Sequence, residues 1–437
     1  MKKSNATRIS PNELKEVVVK IRKYFDSFKN IYVGRDRPID LVMYAMLQKA
    51  HLLFFGNPGT AKTAIADSIF EGIAGAKKFN TQFTAFMSED SIFGPYNIKK
   101  MREEGRLEHN IENMLPEANL ASLDEVLDAN PAVLRALLSV LNERRMVKGR
   151  QVLDVPLHLA YCATNVDPFW YLKRNPQAWA IFDRIAFIDQ IHYLDNAGDV
   201  SEMVRRFQYK VTSDTTLSIN LDMINAVCDY ILLPPTLIQD QLVFLHYGAA
   251  ILEYRQQRKE MIKRYENETL ERQKNGDMEI VSSGVIFSEI SDRRVCQASH
   301  MFEVHAVLDG RIEVMPEDMY AADLVLCTSD EERKIWEKII DKKIEEIKET
   351  KKNNLSEMQL NTLINLQQQF NILRNDSHEI ETRVNGVATL SSQLENIHPE
   401  GKDANDLFKQ LHAEIEKYKE QVTAEYLRYK GLDKKGN

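Results

Sequence analysis

The chain has 437 residues, with 57 Lys and Arg against 65 Asp and Glu, a net charge of −8 and 43% hydrophobic residues. That length buries a full core without disulfide or metal staples, and at about 150 residues per domain it holds roughly three domains or sub-domains. The acidic balance argues against a constitutive nucleic-acid coat, because phosphate binding draws on clustered Lys and Arg, but it leaves room for a local basic pore.

Cys162, Cys228, Cys296 and Cys327 show no CxxC spacing and sit in mainly apolar surroundings. They read as buried free thiols in a reducing cytoplasm. Lys2 and Lys3 have no apolar stretch behind them, so the start is not a signal peptide. No apolar run approaches the ~20 residues a membrane span needs. A cytoplasmic protein without a membrane span is expected.

Ser10-Pro11-Asn12-Glu13 reads as an N-cap, a Pro at the first helical position and a capping-box Glu. Behind it Leu14, Val17, Val18, Ile21, Phe25 and Phe28 recur at helical spacing as far as Asn30. A second helix, Arg37 to Ala50, leads into Leu52-Leu53-Phe54-Phe55, a short run with the character of a buried parallel strand. From there to about Leu194, strand-like and helix-like stretches alternate, the pattern of a doubly wound α/β layer. Residues 198–327 read as mostly helical, with a long charged helix from about Pro235 to Lys274 and a break at Asn275-Gly276. From Thr328 three amphipathic helices follow: one through Ile340, Ile344 and Ile347, one from Leu366 through Phe370 to Leu394, one from Leu411 to Tyr429. Asn353-Asn354 and His398-Pro399-Glu400-Gly401 mark the loops between them. The expected domains are an α/β core over 8–195, a helical lid over 196–327 and a three-helix bundle over 328–437.

Directly after the Leu52–Phe55 strand comes Gly56-Asn57-Pro58-Gly59-Thr60-Ala61-Lys62-Thr63, followed by a helical stretch. This is the strand–loop–helix setting in which a phosphate loop has meaning. Gly56 and Gly59 let successive N–H groups face inward at a helix N-terminus. Lys62 can reach the β- and γ-phosphates, and the Thr63 hydroxyl can ligate Mg²⁺. Ala61 stands where the pattern usually has its last Gly, and it fits if the backbone there is right-handed.

About 60 residues further on, Leu120-Ala121-Ser122-Leu123-Asp124-Glu125 is an apolar strand, interrupted by Ser122, that ends in two carboxylates. Beside a phosphate loop, Asp124 would hold the magnesium shell and Glu125 would polarise an attacking water. A further buried-looking strand, Ala160 to Thr164, ends in Asn165, whose amide could bond that water or the γ-phosphate. Arg184 follows a helix and precedes a strand, a position from which it can stabilise charge on a nucleotide held by a neighbouring subunit, or serve a structural salt bridge.

This order of motifs resembles the AAA+ superfamily and, within it, the MoxR branch, through the loop with Ala before Lys62 and the Leu123-Asp124-Glu125 strand end. Asn142-Glu143-Arg144-Arg145 and Ile290-Ser291-Asp292-Arg293-Arg294 are similar to the RavA-like subgroup. The resemblance covers about residues 8–327. It implies a parallel-sheet P-loop core with a helical lid, ATP and Mg²⁺ as ligands, Val33-Gly34 near the adenine, and Arg293 as a lid arginine touching the γ-phosphate. Two inserts fit the same branch: a hairpin with strands Tyr96–Lys100 and Arg106–Asn110 about a Gly105 turn, and a second hairpin over Met146–Leu153. The resemblance implies that the first points into a central pore; the alternative for each insert is a purely structural hairpin, since their charges are mixed. The tail lacks the strand-rich insertion expected of RavA-like proteins.

An arginine acting in trans requires a ring, and a hexamer is expected. The implied role is chaperone-like remodelling or maturation of a protein client, often with a von Willebrand factor A protein as partner. The alternatives are a nucleic-acid translocase, which would line its pore with basic or aromatic residues, and a non-hydrolysing scaffold. Lys99, Lys100, Arg102 and Arg106 favour the translocase; Glu103, Glu104 and Glu108 counter it, so nucleic acid is not expected. With no HExxH, a zinc site is not expected either, and Trp170, Trp179 and Trp336 read as core or interface residues.

Overall fold

In a computed structural model, which describes residues 9–209, 217–232, 240–274, 285–375, 379–399 and 402–430, five short runs pair in parallel as the central sheet. They are β1 (Leu52–Phe55), β2 (Lys78–Gln82), β3 (Leu120–Asp124), β4 (Leu159–Thr164) and β5 (Phe187–Gln190), in the order β2-β3-β4-β1-β5. β1 and β4 are buried at every position, which is why their sequences show no polar alternation. Parallel pairing brings the carboxyl ends of all five strands to one rim, where α/β sheets bind ligands. Because β4 lies between β3 and β1, whatever follows Thr164 stands between the loop after β1 and the acids after β3.

Two compact units contain the chain, Met1–Asp341 and Lys342–Asn437. In the first, helix α1 (Pro11–Lys29) begins with the expected capping box: the Glu13 N–H reaches Ser10 Oγ at 3.3 Å and the Ser10 N–H reaches the Glu13 carboxylate at 2.9 Å. Helix α2 (Asp36–Leu47) stops short of Ala50 because Lys49 turns left-handed, φ 53°. Helix α3 (Lys62–Glu71) follows the Gly56–Ala61 loop, and Ser122, the polar residue inside β3, hydrogen-bonds Asp67 on it.

The first insert is a helix, α4 (Ile98–Glu104), and not the expected hairpin. Asn97 caps it by accepting the Lys100 N–H at 3.1 Å, the good helix formers Lys99 to Glu104 fill it, and left-handed Gly105 ends it. What remains of the hairpin is its base, where Tyr96 bridges His109 in antiparallel fashion. The second insert is a hairpin: Arg145–Lys148 pairs with Gln151–Asp154, Val147 opposite Val152, around Gly149 at φ 57°. It follows helix α5 (Pro131–Glu143), capped by Asn130.

After β5, helix α6 (Ala197–Gln208) buries none of its residues and shows Val200, Met203, Val204 and Phe207 to solvent on one stripe. Helices α7 (Leu221–Leu232), α8 (Gln241–Lys274) and α9 (Asp292–Leu308) follow. The expected start of α8 near Pro235 and the Asn275-Gly276 break lie outside the described residues. Trp336 is buried and its indole N–H donates to Met319 O at 3.2 Å. Trp179 meets the Phe287 ring edge-on, and Trp170 meets Phe169 in the same way.

Asn353-Asn354 do not break the chain: helix α10 runs unbroken over Asp330–Asn375. An Asn inside a helix costs only tenths of a kcal/mol, so the pair is tolerated. The residues from Leu366 to Leu394 therefore fall on two helices, the end of α10 and α11 (Ile380–Glu395), with α12 (Lys402–Tyr429) after them. Leu363, Leu366 and Phe370 of α10, Val387, Leu390 and Leu394 of α11, and Leu411 and Ile415 of α12 form one apolar cluster in the second unit. Cys162, Cys228 and Cys327 are buried and free, but Cys296 is exposed, on the outer side of α9, against the expectation of four buried thiols. Among the described residues no helix is long and apolar enough to cross a membrane.

Candidate nucleotide site

The loop between β1 and α3 is held by backbone conformations that few residue types adopt. Gly56 has φ 140°, and a Cβ there would lie 2.3 Å from the carbonyl oxygen of Ile191, which follows β5. Gly59 has φ 77° with open space beside it. Ala61 caps α3 at φ 66°, ψ 21°, which is left-handed. The right-handed backbone expected there is thus absent, and the side chain carries about 1–2 kcal/mol of local strain. The Thr60 hydroxyl closes the turn on Asn57 O at 2.9 Å.

Lys62, the first residue of α3, is largely buried. Its Nζ donates to Gly56 O at 2.8 Å, to Asn57 O at 2.9 Å and to Asn165 Oδ1 at 2.9 Å. Burial pushes its pKa below the usual value, against the pull of Glu125 and Asp124. The strand order explains the third contact: Asn165 follows β4, between the loop and the end of β3. Its Nδ2 donates to Glu125 Oε1, and its backbone N–H reaches Glu125 Oε2 at 3.1 Å. Glu125 is turned toward it by a left-handed bend, φ 49°, whose N–H is taken by Asp124 Oδ1 at 3.0 Å. One amide thus joins the lysine to the glutamate, its oxygen on the cation and its nitrogen on the anion. Thr63 lies half-buried at the start of α3, and Val33 and Gly34 precede α2.

Three tyrosines that the sequence did not single out brace this loop and the first two turns of α3. Tyr161 of β4 donates to Lys62 O from the core, Tyr193 donates to Pro58 O at 3.0 Å, and Tyr32 reaches Ala64 O at 3.0 Å and Ser68 Oγ at 2.7 Å. Each comes from a distant point in the chain, so no local pattern marks them. Burial raises the Tyr161 phenol well above its ordinary value, which keeps it a donor.

Arg184 and Arg293 do not join the loop. Both line a cavity with Gln48 and Lys49, which precede β1, so they stand at the starting ends of the strands. One four-residue strand, about 13 Å at about 3.3 Å per residue, separates that level from the phosphate loop. Arg184 donates to Ala180 O at 2.5 Å, and Arg293 pairs with Asp183 at 3.0 Å. The neighbouring Arg294 is wholly buried, donating to Ile185 O at 2.9 Å and Ala186 O at 3.0 Å, with burial pushing its pKa down to about 10.

Residues 19–216 match the family model described as the MoxR domain in the MoxR-vWA-beta-propeller ternary systems, and residues 267–340 match an AAA lid domain. An uncharacterized protein of Methanocaldococcus jannaschii is 30% identical over 206 residues, 47% of this chain and 52% of that one. Chaperone MoxR1 of Mycobacterium tuberculosis is 30% identical over 165 residues, 38% of this chain and 42% of that one. The chain spans about half the length of these relatives. A crystal structure from Cytophaga hutchinsonii, of a protein assigned as an ATPase, superposes with a TM-score of 0.54 at 18% identity, covering 76% of this chain and 96% of that one. At that identity the likeness speaks for the fold, an α/β parallel-sheet core with helical C-terminal parts.

Proposed function

This chain is a MoxR-type AAA+ protein, and on that premise we propose that it hydrolyses ATP with Mg²⁺ as a ring, a hexamer, in which an adjoining copy completes each pocket. The observation that carries the proposal is the Lys62–Asn165–Glu125 chain of hydrogen bonds on the carboxyl rim of the sheet. The backbone N–H groups of Gly59 to Thr63 and the Lys62 ammonium hold the phosphates. Glu125 takes the proton side of the attacking water, and Asn165 fixes that carboxylate and contacts the water or the γ-phosphate. Val33 and Gly34 border the adenine.

The Thr63 hydroxyl and the Asp124 carboxylate are hard oxygen donors suited to Mg²⁺. Mg²⁺ is commonly held by one or two protein oxygens together with the phosphates of its nucleotide. When bound, Mg²⁺ neutralises charge on the β- and γ-oxygens. Arg184 and Arg293, at the opposite rim, serve the nucleotide of the next copy.

The core, lid and bundle we place at 8–195, 196–327 and 328–437, in a cytoplasmic protein. Asn142–Arg145 and Ile290–Arg294 support a finer, RavA-like placement. The client is a protein, and the match to a MoxR-vWA system supports a von Willebrand factor A partner. A nucleic-acid client is disfavoured because cations of the inserts are neutralised locally: Lys100 by Glu108 at 2.7 Å, Arg106 by Glu104 at 3.4 Å and Lys148 by Glu89.

The test is ATP turnover by purified protein with Glu125→Gln and Arg184→Ala, alongside native mass spectrometry. Turnover falls by about 10³-fold or more for Arg184→Ala in the assembled state. A monomer that hydrolyses ATP at full rate without Arg184 refutes the proposal. A Glu125→Gln pull-down that recovers DNA or RNA in place of protein overturns the client class.

A further inference from the structure

Helix α6 is amphipathic the wrong way round. Its less exposed residues are the polar Asp199, Glu202 and Arg206, whereas Val200, Met203, Val204 and Phe207 face solvent, Phe207 at 85% exposure. Arg206 fixes this orientation by donating to Lys29 O at 3.4 Å and to Asn30 O at the end of α1, while Glu202 accepts from Arg206 and from Arg205, each at 2.6 Å. The outward residues keep the i, i+3, i+4, i+7 spacing with which a helix fills an apolar groove.

The same unit carries such a groove, about 720 Å³ in volume. Phe169, Leu172 and Trp179 line it from the core, Ile262 and Leu270 of α8 line it from the lid side, and Phe287, edge-on to Trp179, is buried beneath. Placement and charge point to one occupant. Trp179 is next to Ala180, whose carbonyl accepts from Arg184, so the groove adjoins the arginine that serves the nucleotide of the next copy. The α6 stripe adjoins its own copy's nucleotide: Tyr193, just before the helix, donates to Pro58 O at 3.0 Å, and a Cβ on Gly34 would lie 3.9 Å from Asp199 Oδ2. A head-to-tail contact that brings Arg184 to the neighbouring phosphate loop therefore brings groove and stripe to one boundary, and contacts of that kind close into rings. The groove carries Lys173 on its core wall and Glu266 on its lid wall, neither with an ion-pair partner among the described residues. The α6 segment carries the counterparts, Asp195 and Asp199 before the stripe and Arg205 within it.

We propose that the Val200–Phe207 face of α6 docks in the Phe169–Trp179–Leu270 groove of an adjoining copy of this chain. The inference rests on the reading that Arg184 acts across a subunit boundary, and it adds the surfaces that hold the two copies together.

The experiment uses the full-length chain with ATP, Phe207→Glu to spoil the stripe and Leu270→Glu to spoil the groove. Phe207 and Leu270, at 85% and 54% exposure, both face solvent more than the core, so each variant keeps the wild-type melting temperature of the isolated chain. By native mass spectrometry and sedimentation, either substitution raises the dissociation constant of the assembly by about 30-fold or more, and raising the protein concentration restores turnover. An equimolar mixture of the two variants forms one-to-one dimers and nothing larger, because one intact stripe meets one intact groove and the spoiled halves are left over. Turnover in that mixture is lost when Arg184→Ala is added to the Phe207→Glu copy, and is kept when it is added to the Leu270→Glu copy. An assembly undiminished by Phe207→Glu means that something other than this chain covers the stripe; one undiminished by Leu270→Glu means that the groove takes another occupant. Either result, or a mixture without dimers, overturns the proposal. Full turnover by Arg184→Ala would sink the underlying reading; loss in Arg184→Ala with intact assembly in Phe207→Glu would sink this inference alone.

Discussion

Gly56 and Gly59 lie three residues apart in one loop, but the same substitution costs different amounts at each. At Gly56 an added Cβ would stand 2.3 Å from Ile191 O, where a carbon–oxygen contact needs about 3.3 Å. The backbone must move by about 1 Å, and the neighbouring Ile191 N–H bond to Phe55 O, 2.8 Å long, is directly in the path. Adding a backbone strain of about 1–3 kcal/mol to a lost hydrogen bond of about 1 kcal/mol gives roughly 2–4 kcal/mol for Gly56→Ala. At Gly59, where no atom lies within 4 Å of the added carbon, only the left-handed backbone penalty applies, about 1–2 kcal/mol. Urea unfolding with both variants measures the difference. At a slope near 3 kcal/mol per molar, the Gly56→Ala midpoint falls by about 1 M and Gly59→Ala by about half of that or less. Equal midpoints would refute the assignment of the cost to the Ile191 contact.

Ala61→Gly relieves the left-handed strain but adds unfolded-chain entropy, so the variant gains no more than about 1 kcal/mol in urea unfolding and retains ATP turnover. Asn165→Ala removes the group joining Lys62 to Glu125; kcat falls by about 10²-fold while ATP affinity, measured by calorimetry, stays within several-fold. His305 is held above its ordinary pKa of 6.5, mainly by the hydrogen bond to Asp318, with Asp309 and Arg311 close by. Its contribution to stability is complete below pH 6.5 and is lost as pH rises through the raised folded value. Urea midpoints therefore fall from pH 6 to pH 8, and His305→Gln flattens that slope.

The sheet was legible because β1, β3 and β4 are nearly unbroken apolar runs that end in chemistry: Gly56, Asp124 and Asn165 each mark a strand end. Their meeting in space follows from the strand order, which no single run encodes. The first insert was misread because Gly105 suits a hairpin turn and a helix end equally well; Asn97 as a cap and the run of helix formers decide for the helix. Asn353-Asn354 misled in the opposite sense, two poor helix residues inside 46 that form one helix. Ala61 followed its motif in position but not in backbone conformation. Neither the tyrosine braces nor the placement of Arg184 and Arg293 away from Lys62 could be seen in a linear pattern, since each depends on contacts between residues far apart in sequence.

The four thiols offer a practical opening. Cys162 and Cys228 are sealed in the core, their pKa values pushed up to about 12 by burial, and burial raises the Cys327 thiol well above its ordinary value too. Cys296 alone is accessible, one residue before Gln297 and three after Arg293. A maleimide fluorophore added to native protein should therefore attach at one place, on the helix that borders the cation-lined cavity. Its emission would report on the docking of another copy there without any engineered label site.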